Sequence, residues 1–184
     1  MEKKRTRTQL NKWEYGKLRI AAWLFTFAVA LAASLFLYSF VFQEVRVTGT
    51  SMQPTFSEGE VLLVNRLSFY IKSVQRGQIV IFRNRKTGDE YIKRVIGLPG
   101  ERVLIREGCV YINGIYLDES DYLSFAAGEL EEITVPPEHV FLLGDNRIIS
   151  LDSRDESVGC VRIQDLHGSV FLRLLPLGSF TVFL

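Results

Sequence analysis

Three short segments hold side chains that could do chemistry. Ser51 sits in Gly49-Thr50-Ser51-Met52-Gln53-Pro54-Thr55, just after a strand-like run at 44–48. Glycine permits a tight backbone and proline stops a following strand, so this serine could stand exposed on a turn as a nucleophile. Alone, the segment reads more simply as a capping or turn serine. Lys93 lies in Glu90-Tyr91-Ile92-Lys93-Arg94-Val95-Ile96. On a strand, Tyr91, Lys93 and Val95 share one face. Apolar company would desolvate the ammonium, lower its pKa and leave a neutral amine able to act as a base. The opposite face mixes Ile92, Arg94 and Ile96, so alternation alone does not separate a base from a lysine reaching outward along a half-exposed strand. The third segment is Gly144-Asp145-Asn146-Arg147-Ile148-Ile149-Ser150-Leu151-Asp152-Ser153-Arg154. It could carry hydrogen bonds and ion pairs into a site, or be a solvated turn. Its aspartates lack the full calcium-loop spacing and its terminal glutamate.

A serine nucleophile needs a base, usually a histidine oriented by a carboxylate. The two histidines, His139 and His167, have no motif around them, although a triad through either is open at this level. Two cysteines, Cys109 and Cys160, exclude a disulfide-dense scaffold and a four-cysteine zinc site. With so few ligands, no metal or other cofactor is expected. Fifty residues separate the cysteines, and spacing alone does not decide whether they pair.

These segments need a scaffold, and the chain divides into two parts that could supply one. Residues 1–19 carry seven basic residues against two acidic ones, a tip of +5. The net charge is +1, so the remainder is −4. A basic tip on a mildly acidic body argues against nucleic-acid binding, which spreads positive charge over a folded face. Residues 20–42 hold no charge over 23 positions. As a helix they would reach about 34 Å, enough to cross a hydrocarbon core of about 30 Å. A cleaved signal peptide competes, because the start is basic and Ala30-Leu31-Ala32 resembles a cleavage site. The apolar run, however, continues ten residues past Ala32, beyond the usual length of such a segment. The expectation is an uncleaved anchor, with residues 1–19 cytoplasmic and residues 43–184 outside. Trp23 and Tyr38 stand near its ends, where interfacial aromatics lie.

Past Phe42 the pattern becomes period-two, with strand-like runs at 44–48, 60–64, 78–82, 90–96, 102–105 and 140–143. Turn signals separate them, and Asn113-Gly114 between 109–112 and 115–117 is a strong hairpin signal. The expected class is mainly β: a transmembrane helix followed by one extracytoplasmic β-domain at 43–184. Residues 118–132 are polar and acidic and read as a loop or insertion.

Taken together, the three segments are more specific than any one alone. Ser51-Met52-x-Pro54-Thr55, Lys93-Arg94-Val95-x-Gly97-x-Pro99-Gly100, and Gly144-Asp145-Asn146-Arg147 with Ser150-x-Asp152-Ser153-Arg154 occur in this order outside an N-terminal anchor. The chain resembles bacterial type I signal peptidases of the serine/lysine kind over roughly residues 20–175, in the short, single-anchor form of Gram-positive bacteria. The resemblance implies a membrane-bound endopeptidase that removes signal peptides from secretory preproteins after small-x-small residues. It implies a fold of coiled antiparallel β-sheets that takes the preprotein as an added strand. Ser51 would be the acylating nucleophile and neutral Lys93 the general base. Ser150 would hydrogen-bond and orient Lys93, Asp152 and Arg154 would brace the loop, and Asp145 would pair with Arg94. The Ser51 amide would be one oxyanion donor. Gly49 stands where some relatives carry a second, hydroxyl donor, and Ile149 where many carry asparagine. Val47, Met52 and Ile92 flank the catalytic pair and are candidates for substrate-pocket walls, with core packing the alternative. Phe69-Tyr70-Ile71 would either dip into the membrane interface or sit in the core.

Two other readings compete. A catalytically silent anchored β-domain could bind partners, but such a protein would be free to lose Ser51, Lys93 or Ser150. A self-cleaving serine/lysine repressor protease is disfavoured by the anchor and by the absence of a DNA-binding segment before it.

Overall fold

The computed structural model describes residues 12–71, 73–123, 125–176, 178 and 180–183. Four of the seven cations of the basic tip therefore lie outside the described residues. Two compact units meet at Phe40 and Val41.

The first unit is built on helix α1, Lys12–Val41. Within it, Tyr15–Val41 is long and apolar enough to cross a membrane, and none of it is buried by the protein. A helix apolar all round and unburied has no partner in water, so lipid is the solvent that suits it. The helix begins earlier than the uncharged run at 20–42, because Lys12, Lys17, Leu18 and Arg19 are good helix formers. It stops one residue sooner, where Phe42 opens strand β1, Phe42–Arg46.

The second unit is antiparallel β structure. Further strands run β2 (Val61–Asn65), β3 (Ile79–Arg83), β4 (Glu90–Gly97), β5 (Arg102–Arg106), β6 (Cys109–Ile112), β7 (Ile115–Tyr116), β8 (Leu130–Thr134), β9 (His139–Leu143), β10 (Val161–Arg162), β11 (Leu166–Leu175) and β12 (Thr181–Val182). One sheet has the order β1-β2-β11-β3-β4-β9-β10, with β12 paired to β11; the other has the order β7-β6-β5-β8. Neither sheet closes into a barrel. Asn113 and Gly114 both have positive φ, 52° and 81°, which is the turn that joins β6 to β7.

Period-two alternation sorts the core. In β3, Ile79 and Ile81 pack into one cluster with Val47, Met52 and Phe56, while Val80 and Phe82 face a second cluster with Val95 and Leu142. In β9, Val140 and Leu142 join that second cluster, while Phe141 and Leu143 face a third with Ile96, Val103 and Ile105. Strands β3, β4 and β9 thus carry apolar side chains on both faces, and the expected polar face is missing there. The 118–132 region is not wholly loop, because Leu130–Thr134 pairs with β5. Phe69, in the short helix α2 (Ser68–Ile71), packs on the second cluster, whereas Tyr70 is 87% exposed. The Ile71 side chain lies outside the described residues. Cys109 and Cys160 are both free thiols.

Gly97 marks the tightest approach between the two sheets. A Cβ there would lie 2.7 Å from Val103 Cγ2 and 2.9 Å from Phe141 Cβ, and neither can swing away from a packed core. Gly97→Ala should therefore cost about 1–3 kcal/mol through overpacking. Gly114→Ala, in open space but at positive φ, should cost about 1–2 kcal/mol through backbone strain alone. Denaturant midpoints in detergent check the first value. An unshifted midpoint for Gly97→Ala would show that the sheets are further apart than described.

Candidate active site

Lys93 is the fourth residue of β4 and pairs with Val80 on β3. It is 1% exposed, among the most buried residues of the protein. Its Nζ lies 2.8 Å from Ser51 Oγ and 5.6 Å from the centre of the Tyr91 ring. Burial pulls its pKa down from 10.5 to about 8. Asp152 and Asp145 push the other way, and Arg154 pulls down again. Desolvation wins because each carboxylate is already engaged by its own guanidinium. Asp145 takes two bonds from Arg94, 2.8 Å from Nε and 2.7 Å from Nη2; Asp152 takes two from Arg154, 2.8 and 2.9 Å.

Ser51 is held by the loop after β9. Asn146 N donates to Ser51 O at 3.0 Å, and Asn146 Nδ2 donates to Thr50 O at 3.3 Å. On the other side of the turn, Phe56 N donates to Met52 O at 2.9 Å, closing a helical-type turn that buries Met52 and Phe56. Gly49 has φ 81°, with open space where a side chain would stand. Ser51, Lys93, Val47, Met52 and Ile92 line one cavity of about 190 Å³. Val47 and Met52 are buried core residues that also line this cavity, and Ile92 packs partly buried against the same cluster.

The loop is stiff for specific reasons. Gly144 N donates to Asp152 Oδ2 at 3.0 Å, and Arg154 Nη2 donates to Arg147 O at 2.8 Å. A methyl group at Gly144 would run into Ser150 Oγ and lie 2.6 Å from Ser51 O. Only glycine lets the loop pass this close to Ser51. Ser150 Oγ is buried against this glycine and has no hydrogen-bond partner among the described residues. The bond to Lys93 that the resemblance implies is therefore not formed here. A rotation about χ1 is the motion left to an unpaired hydroxyl.

Four further residues belong to this network. Arg147 donates to Glu119 at 3.0 and 2.5 Å and to Gly144 O at 3.0 Å, and both side chains are buried. Tyr122 OH donates to Glu119 Oε1 at 2.7 Å, and its ring lies 3.9 Å from the Arg94 guanidinium carbon. Burial and the Glu119 charge hold the Tyr122 hydroxyl well above its ordinary pKa, so it stays a donor. Thr55 Oγ1 donates to Asp145 Oδ2. Thr55 and Arg147 stood inside the segments already singled out. Glu119 and Tyr122 stood in the acidic 118–132 stretch, which read as a loop or insertion.

The histidines take other partners. His139 Nδ1 lies 2.7 Å from Pro137 O, and His167 Nδ1 lies 3.2 Å from Glu90 Oε1. Among the described residues, the amine of Lys93 is the titratable group hydrogen-bonded to Ser51 Oγ. Among the described residues, no group of three His, Cys, Asp or Glu could hold a metal ion.

A lowered lysine pKa has a consequence for stability. The folded protein releases the proton first, so the cost of burying the ammonium is full below about pH 8 and fades as pH rises toward 10.5. Lys93→Met should be more stable than the wild type near pH 7, by up to about 3 kcal/mol. The gap should close between pH 8 and 10.5, as read from unfolding curves. A gap that does not change with pH would mean that Lys93 is not desolvated.

A family model described as signal peptidase, peptidase S26 matches residues 20–175. Signal peptidase I of Bacillus caldolyticus is 40% identical over 172 residues, covering 86% of this chain and 92% of the relative. Signal peptidase I of Bacillus amyloliquefaciens is 36% identical over 165 residues, covering 84% and 81%. A crystal structure of a signal peptidase I from Enterococcus faecalis V583 is 34% identical with a TM-score of 0.44, covering 53% of this chain and 97% of that one. With the match spanning both the apolar helix and the β unit that holds Ser51 and Lys93, the chain belongs to the signal peptidase family, peptidase S26.

Proposed function

We propose that this protein is a membrane-bound serine endopeptidase that removes N-terminal signal peptides from exported preproteins, cutting after small-x-small residues with a Ser51/Lys93 dyad. The observation that carries the reading is Lys93 Nζ at 2.8 Å from Ser51 Oγ, in a site whose burial lowers the amine's pKa to about 8. Helix α1 anchors the enzyme, with its basic end in the cytoplasm and the β unit outside.

Neutral Lys93 takes the hydroxyl proton as Ser51 Oγ attacks the scissile carbonyl. The Ser51 backbone N–H stabilises the oxyanion. The lysine, now protonated, gives its proton to the leaving amine. The new N-terminus departs, and the signal peptide stays esterified to Ser51. Lys93 then activates a water that releases the acyl group and restores the serine. Arg94–Asp145 ties β4 to the catalytic loop, and Arg154–Asp152 braces that loop internally. Ser150 turns toward Lys93 when substrate closes the site, orienting the amine. Val47, Met52 and Ile92 accept the small side chains on the acyl side, because a cavity of about 190 Å³ shared among them excludes bulk.

Purified protein incubated with a preprotein in detergent tests this reading. The wild type should release the mature chain, with the cut after a small-x-small sequence. Ser51→Ala and Lys93→Ala should each lose several orders of magnitude in rate while staying folded. Ser150→Ala should lose about 10–100-fold, the scale of positioning contacts elsewhere. The wild-type kcat/KM should rise with pH through about 8, because protonated lysine is no base. Retained turnover in Lys93→Ala, or a profile flat from pH 6 upward, would remove lysine from the mechanism.

A further inference from the structure

The turn carrying Ser51 has a second concavity against it, about 370 Å³ in volume. Gln53, Pro54 and Ser57 line one side of it, Asn146 and Arg147 the floor, and Phe125 the far rim. It shares no lining residue with the cavity of Val47, Met52 and Ile92, which is built on the chain from Val45 to Met52 and on strands β3 and β4. One hollow is thus lined by Ser51 and Met52 themselves, and the other by the chain that follows them, from Gln53 to Ser57. Asn146 ties the second hollow to the site directly, through its bonds to Ser51 O and Thr50 O.

Its chemistry suits a polypeptide. The charged groups of the floor are already saturated: Asp145 by Arg94 and Thr55, and Arg147 by Glu119. A metal ion or a phosphate would find no unpaired partner there. The accessible surface is the Gln53 amide, the Ser57 hydroxyl, the Pro54 ring and the 71% exposed ring of Phe125. Amide and hydroxyl groups beside two apolar rings match an extended backbone that carries an apolar side chain. The buried Arg147–Glu119 pair fixes the floor in advance, which lowers the ordering cost of binding.

We propose that this groove holds the leaving side of the substrate, the first residues of the mature chain, and that Phe125 favours an apolar or aromatic side chain among them. The inference rests on the peptidase reading above, and it names the half of the substrate that the acyl-side cavity leaves unplaced.

Two peptide substrates test it on the full chain in detergent. Both have the same sequence up to the cut bond. One continues for six residues with a phenylalanine among them, and the other ends one residue after the cut. Phe125→Ala removes the rim, and Ser57→Trp fills the groove from an exposed position. Phe125→Ala should lower the ratio of kcat/KM for long over short substrate by about three-fold or more, mainly through KM. Ser57→Trp should lower it by about ten-fold. If the wild type cuts both peptides and neither variant changes the ratio, the groove assignment is overturned while the peptidase reading stands. If the wild type cuts neither, the peptidase reading fails and takes the groove with it.

Discussion

The structure depends on one awkward placement, an amine buried in a β-sheet core beside a serine hydroxyl. A charged ammonium would be unstable there, and a charged ammonium could not act as a base. The same desolvation that penalises the charge produces the reagent. This works only if the nearby carboxylates are kept from stabilising the ammonium. Asp145 and Asp152 both pull the proton back toward Lys93. Each is engaged by a guanidinium through two hydrogen bonds, which spends most of its charge elsewhere. The Arg154–Asp152 pair thus acts on the Lys93 pKa through both partners, in opposite directions, as well as holding the loop.

The rest of the fold delivers three backbone segments to within a few ångströms. Strand β4 brings Lys93 and Arg94 on adjacent residues, so one side chain meets the serine and the other the loop. Strand β9, apolar on both faces, ends at Leu143 and releases the loop at Gly144. The Ser51 turn is seated by Met52 and Phe56, both sunk in the first core cluster. Two glycines mark close approaches that matter to the site: Gly97 between the sheets and Gly144 against Ser51 and Ser150. The loop at 118–123 closes the network from outside, where Glu119 neutralises Arg147 and the Tyr122 ring covers Arg94.

Much of this was legible because it is local. Period-two runs located β1 to β6 and β9 to within about two residues, and Asn113-Gly114 marked its hairpin. Strand β11 was missed because His167-Gly168 breaks its alternation, and its pairings slip in register at several points. Such bulges serve the curvature of the sheet and erase the pattern. Among site residues, Ser51, Lys93 and the loop motif were distinctive only in combination, and the pairing of Arg94 with Asp145 was expected from the family resemblance. Glu119 was illegible, because an acidic residue in an acidic stretch looks solvated until a buried arginine is found beside it. Ser150 was expected to bond Lys93 and instead lies unpaired against Gly144, a choice of rotamer that spacing cannot encode.

The central claim is that Lys93 is neutral in the alkaline range where other lysines are charged. Lysine labelled with carbon-13 at Cε, followed by NMR against pH in the full chain and assigned with Lys93→Met, measures this without reference to any substrate. The account predicts one resonance titrating near pH 8. If the Lys93 signal titrates above pH 10 with the rest, the amine is an ordinary ammonium and the dyad does not operate as described.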